Sequence, residues 1–241
     1  MGKSAGLKPL RKLYDGKGKA VYETDNRDLV ILSFKDDAIG SPLRTRGIVP
    51  QKGRYKNKIS SAVFQYLEEH GVPTHFVRTL SDREMLVKRL QIIPIEVVMR
   101  NIVAGSLAKR LGLEEGMRLD SPVQELYYKS DALGDPMIND SHVRILGIAT
   151  PEELARLKEM AVHINGLLLR YFENRDILLV DVKLEFGRHK RRVLLGDEIT
   201  PDGCRFWHWQ TIQKPRKGGA PKALGRLEET YEEIYRRVVG E

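Results

Sequence analysis

The sequence predicts an α+β fold of two packed lobes, a β-rich one over 1–95 and a mixed α/β one over 96–241. Three observations lead there. Strand-like runs dominate the first 95 residues, a long capped helix opens only at Thr150, and strands and helices never settle into strict βαβ alternation. With 241 residues, 41% hydrophobic and 31% charged, the chain has the length and balance to bury a sizeable core. One cysteine excludes a disulfide-stapled scaffold.

The first lobe opens as a hairpin. Arg11–Tyr14 leads into Asp15-Gly16-Lys17-Gly18-Lys19, and Ala20–Thr24 follows. A turn at Asp25–Asp28 precedes Leu29–Phe34, a buried strand. Asp36 to Lys56, rich in Gly, Pro and Arg, reads as a loop. Ile59 to His70 has helical spacing, with Ile59, Val63, Phe64 and Leu67 on one face and Gly71 placed to end it. Strands are expected at 75–78, 84–90 and 95–100, and a short helix over Ser106–Leu111.

Glu114 to Asp140 is polar and reads as irregular. Thr150 is a helix cap followed by Pro151 at the first helical position, which launches a helix to about Asn174. Strands at 177–186 and 193–199 flank the basic turn 187–192. A second polar loop covers 200–219, and Leu224–Val238 closes the chain as an amphipathic helix.

Lys+Arg 41 against Asp+Glu 33 leaves a net charge of +8, which favours anionic partners. No helix-turn-helix, zinc-finger or RNA-motif signature accompanies it, so no nucleic-acid partner is expected. No window reaches the ~20 apolar residues of a membrane span, and the first residues lack the apolar core of a signal peptide. A cytoplasmic protein without a membrane partner is the expectation.

Three places carry chemistry. In Asp15–Lys19 the glycines let backbone N–H groups approach a phosphate, and Lys17 and Lys19 would project to one side of a strand. An ordinary hairpin turn with solvated lysines fits the same residues. Arg100–Ser106 ends a strand and enters a helix, where Ser106 as cap and Arg100 nearby would make a phosphate seat; plain helix capping is the alternative. Asp181, Lys183 and Glu185 alternate onto one strand face, and Asp197-Glu198 ends the next strand. Oxygen donors of this kind suit Mg²⁺ held with nucleotide phosphates, and an exposed salt-bridged face is equally open. The Asp-rich stretch Asp131–Asp140 has the composition of a functional loop.

Taken together, these motifs resemble the SAICAR synthase family over about Leu13 to Val238. Its most specific parts are Ile92–Ser106 and Leu179–Gly187, supported by Tyr14–Tyr22, Lys129–Asn139 and Gly196–Arg205. The resemblance implies ATP-driven amide formation, in which the carboxylate of the imidazole ribonucleotide CAIR is phosphorylated and then attacked by the amine of L-aspartate. It implies an ATP site made of Gly16, Lys17, Gly18 and Lys19, with Lys88, and with adenine near Ile92–Glu96. It implies Mg²⁺ on Glu185 and Asp197, and Lys183, Asp181 and Asp202 as catalytic residues. Arg100, Gly105, Ser106 and Arg205 would seat the ribonucleotide, Lys129, Asp131 and Asp135 would line the acceptor side, and a homo-oligomer, most simply a dimer, is expected.

Two segments depart from the family pattern. Residues 38–46 lack the short acidic or amide loop usual there, and 214–222 replace an Asp-Arg-Phe-Arg segment. His208 also stands where an Asp often follows Trp207. These changes support a second expectation, a paralogous ATP-dependent amide ligase with a different amine or carboxylate.

Overall fold

Alternation in the sequence becomes two antiparallel sheets in the computed structural model, which describes residues 8–39, 46–208 and 227–240. The first sheet takes β1 (Lys12–Asp15), β2 (Lys19–Glu23), β3 (Leu29–Phe34), β6 (Phe76–Thr79) and β7 (Glu84–Lys88) in the order β1-β2-β3-β7-β6. Short strands β4 (Asp37–Ile39) and β5 (Arg46–Ile48) pair beside it. Helix α1 (Lys52–Glu69) covers the sheet, burying Ile59, Val63, Phe64 and Leu67 in one core with Leu32, Phe34, Met85 and Val87. The helix starts earlier than expected because its first turn is written in Lys, Gly and Arg, which hide the apolar period.

The second sheet joins β8 (Gln91–Ile102), β9 (Arg118–Tyr128), β10 (Met137–Ile138), β11 (Ile177–His189) and β12 (Arg192–Leu195) in the order β10-β9-β8-β11-β12. Strand β13 (Cys204–His208) also pairs with β11. Helix α2 (Ser106–Leu111), α3 (Asp140–Leu146) and α4 (Pro151–Glu173) belong to this half of the chain. Helix α4 lays Leu157, Ile164 and Leu168 into the same core as Ile95, Val97, Val182 and Leu184.

Several expectations need correcting. The polar stretch 114–140 contains β9, whose residues are mostly half-exposed, so a strand there carries little apolar signal. Its Pro122 sits where the β8–β9 register slips, the position in a sheet that tolerates a missing N–H. The strand expected at 193–199 ends at Leu195, and Gly196 to Thr200 leave the sheet. The basic turn is tighter than 187–192, with Lys190 in a left-handed conformation at φ 57°. Part of the loop expected at 200–219 is β13, whose Trp207 is buried with Ile102, Ala104, Leu178 and Val180.

A backbone seam joins the two sheets. Thr74 bridges to Leu195, with His75 N donating to Leu195 O at 2.9 Å and Leu195 N to Pro73 O at 3.0 Å. The last helix, α5 (Leu227–Val239), returns to α1, with the Tyr55 and Tyr235 rings 4.8 Å apart.

Helix α4 begins as the sequence predicts. Thr150 accepts from Glu153 N at 3.2 Å and Glu153 returns the bond to Thr150 N at 2.9 Å, a closed capping box. Arg188 holds the same Glu153 and keeps its carboxyl down at about 2. Thr150→Ala is expected to cost about 1 kcal/mol in urea denaturation.

Candidate active site

The period-two alternation of β8 builds the floor. Ile93, Ile95, Val97 and Met99 are buried in the core, so Glu96 and Arg100 belong to the opposite face. Register then sets the neighbours: Glu96 stands across from Glu185, and Arg100 across from Asp181. Two carboxylates directly opposite repel. Lys183 resolves this by donating to Glu96 at 2.8 Å and to Glu185 at 3.0 Å, while Lys129, at the end of β9, donates to Glu185 at 2.5 Å. Burial alone would lower the Lys183 ammonium pKa, but Glu185 and Glu96 override it and hold it well above the usual lysine value. Burial raises Glu96 in spite of Lys183.

Arg100 is the second focus. It donates to Glu125 at 2.6 Å, Ser106 at 3.0 Å, and Asp181 and Tyr127 at 3.3 Å each. Arg205 lies 3.8 Å from Asp181, and burial raises that carboxyl despite both arginines. The sequence expectation that Ser106 caps α2 is not met; the cap position is Gly105, without a side-chain bond, and the Ser106 hydroxyl accepts from Arg100. Gly105 has φ 55°, and a Cβ there would lie 2.7 Å from the Arg205 guanidinium, so only glycine lets Arg205 approach.

The glycine hairpin closes over this floor from the first sheet. Gly16 N donates to Lys19 O at 2.9 Å. The two lysines diverge rather than sharing a side. Lys17 is exposed, 3.8 Å from Asp131, whereas Lys19 binds Asp197 and Glu198, the latter at 2.9 Å. Burial would raise Asp197, but Lys19, with Lys183 and Lys129, holds it far below the usual carboxylate range. Asp197 has φ 57°, a conformation Asp tolerates better than most residues. Its neighbour Gly196 donates to Glu185 O at 2.9 Å, which keeps Glu185 and Asp197 together. Asp202 accepts from Lys52 and Lys56, each at 3.0 Å.

Some predicted residues stand apart from the cluster. Lys88 donates to Thr74 O at 2.9 Å, and Ile92 is exposed at the start of β8. Asp135, at φ 50°, closes its own loop by accepting from Ser130 N at 2.8 Å. Sequence reasoning missed Lys52, Lys56, Glu125 and Tyr127, and noted Glu198 without assigning it a role. A signal existed for the lysines: positions 52 and 56 continue the apolar stripe of 59, 63 and 67, where a charge is unexpected.

His75 lies beneath this site, buried at the seam. Burial, with Lys19 behind it, pushes its pKa down to about 3. Unfolded, it titrates near 6.5. The folded state therefore refuses a proton that the unfolded chain accepts between those values, and stability is lost as pH falls through that window. The expected slope is about 1.4 kcal/mol per pH unit, read by denaturant titration from pH 7 to 4, and His75→Gln should flatten it.

A β-rich half carrying a glycine–lysine hairpin, set against a sheet whose face alternates lysine, arginine and carboxylate, is the arrangement of an enzyme that handles phosphorylated anions. The SAICAR synthetase family model matches residues 12–238, and the chain belongs to that family. Its relatives include phosphoribosylaminoimidazole-succinocarboxamide synthases from Chlorobium phaeobacteroides, 53% identical over 227 residues, and from Caldanaerobacter subterraneus subsp. tengcongensis, 51% identical over 226. Each of these matches covers 94% of this chain and 96% of the relative. Among solved structures, a SAICAR synthetase in complex with ADP superposes with a TM-score of 0.86 at 42% identity, over 95% of this chain and 97% of that one. The synthase from Ehrlichia chaffeensis gives 0.87 at 37%, over 96% and 99%. The chain is thus an ATP-dependent carbon–nitrogen ligase of purine biosynthesis.

Proposed function

We propose that the chain joins CAIR to L-aspartate with ATP, giving SAICAR, ADP and phosphate. The observation that carries this reading is the pair Glu185 and Asp197, each bound by lysines and linked through the Gly196–Glu185 backbone bond. A CAIR carboxylate oxygen attacks the γ-phosphorus of ATP while the bond to ADP breaks. The aspartate amine then attacks the acyl carbon, a C–N bond forms, and phosphate leaves with the C–O electron pair and takes up the proton that the nitrogen gives up.

Such a reaction needs positioning and charge neutralisation more than covalent help from the protein. Lys17 and Lys19 on the hairpin hold the ATP phosphates, with Gly16 and Gly18 giving close approach. Adenine lies near Ile92–Glu96. Lys183 is aimed between Glu96 and Glu185, where it steadies charge on the transferring group. Asp181 orients Arg100 and Arg205, which with Gly105 and Ser106 take the ribonucleotide phosphate, and Asp131 and Lys129 border the acceptor side. Among the described residues no group of three or more His, Cys, Asp or Glu is placed to hold a metal by itself. Two carboxylates nevertheless fit Mg²⁺, which takes one or two from a protein and the rest from phosphates and water. Bound there, Mg²⁺ would neutralise phosphate charge, with Glu185 and Asp197 as its protein ligands.

A cytoplasmic homodimer completes the proposal; no helix among the described residues is long and apolar enough to cross a membrane. The second expectation, a ligase for another amine or carboxylate, gains no support, since the relatives matched over nearly the whole chain share one name. The altered segments 38–46 and 214–222 lie largely or wholly outside the described residues. The test is coupled ADP release with CAIR and MgATP, with and without L-aspartate. Aspartate-dependent release is expected, and release indifferent to aspartate would contradict the assignment of the amine.

A further inference from the structure

Beneath the hairpin lies an ion-pair chain with an interior member, Lys56, that has no part in the proposed chemistry. Lys56, on α1, is 2% exposed. It binds Glu198 and, at 3.0 Å, Asp202. The other Glu198 oxygen accepts from Lys19 at 2.9 Å, and Lys19 continues to Asp197. Lys52 joins from the same helix face, 3.0 Å from Asp202. The order is Asp197, Lys19, Glu198, Lys56, Asp202, Lys52: three carboxylates alternating with three ammonium groups.

Burying an ammonium is costly even when it is paired, and an apolar replacement of the whole Lys56–Glu198 pair would hold the fold as well. What the lysine provides is position. A Cβ on Gly18 would lie 2.7 Å from the Lys56 ammonium, so the lysine tip rests directly against the glycine hairpin. Glu198 is shared between two lysines, one facing the proposed phosphate site and one facing the helix. Without Lys56, the buried carboxylate of Glu198 would have Lys19 as its lysine partner and would draw that ammonium away from an incoming phosphate.

We propose that Lys56 is a positioning residue for nucleotide binding: by sharing Glu198 with Lys19 it leaves the Lys19 ammonium available to ATP phosphates. This rests on the ATP reading above and adds to it a residue that touches no substrate. The proposal has a sign that a merely structural ion pair lacks, because neutralising Glu198 should cancel the effect of losing Lys56.

The experiment is the dissociation constant of ADP, by calorimetry with Mg²⁺, for wild type, Lys56→Met, Glu198→Gln and the double variant, each first checked for folding by circular dichroism. K56M is expected to weaken ADP binding about tenfold, and in the E198Q background the same change should cost less than about threefold. A folded K56M within about threefold of wild type, or a double variant more than about threefold weaker than E198Q, would overturn the proposal. Should K56M fail to fold, Lys56→Gln takes its place in the same cycle, with the same expected and overturning results. Wild-type protein that binds no ADP would overturn the ATP reading itself, whereas an indifferent K56M beside a binding wild type overturns this proposal only.

Discussion

Lys183→Met is expected to lower kcat by about 10²–10³, the scale seen when one preorganised donor to a developing charge is removed. The reason is in the register: Glu96 and Glu185 stand across from each other on β8 and β11, and the Lys183 ammonium is 2.8 and 3.0 Å from them. Methionine keeps the stem and removes the charge. Glu96, which burial already raises, would rise further and shed its charge nearer neutrality. Steady-state kinetics on folded variant protein checks this, and a kcat within tenfold of wild type would show that Lys183 serves the sheet alone.

The second large effect is on stability. Arg100→Met should cost about 3–5 kcal/mol in urea denaturation, the usual result of taking one partner from a buried ionic network. Arg100 is buried and bonded to Glu125, Asp181, Ser106 and Tyr127, so the variant leaves two buried carboxylates short of a counter-charge. Arg100→Lys keeps a charge but loses the planar fork, and it should raise KM for CAIR while leaving KM for ATP near its original value. A loss below about 1 kcal/mol for Arg100→Met would mean that Arg110 and Arg205 hold those carboxylates unaided.

Much of this was legible because local pattern and tertiary environment agree. The period-two run of β11 put Asp181, Lys183 and Glu185 on a common face, and the β8–β11 register then brought Glu96 and Arg100 opposite them. The Thr150–Pro151 signal placed α4 within a residue. The failures occur where tertiary contacts override local chemistry. Polar β9 is a strand because β8 and β10 flank it. Ser106 accepts from Arg100 rather than capping its own helix. Lys17 and Lys19 part because one meets Asp131 and the other the Asp197–Glu198 corner, neither of which the hairpin sequence contains. Lys56 was missed for a related reason: a lysine at an apolar helical position makes sense only once Glu198 and Asp202 arrive from the other half of the chain.

The most direct test of the central claim, that a carboxylate is activated by phosphoryl transfer before the amine attacks, is an isotope measurement. CAIR labelled with ¹⁸O in both carboxylate oxygens is incubated with MgATP and L-aspartate, and the released phosphate is analysed by mass spectrometry. One ¹⁸O per phosphate is the predicted result, because the bridging oxygen of the acyl phosphate leaves with phosphorus while the other stays in the new amide. Unlabelled phosphate would mean that ATP is split by water, and that the lysine- and carboxylate-lined seam serves a different step.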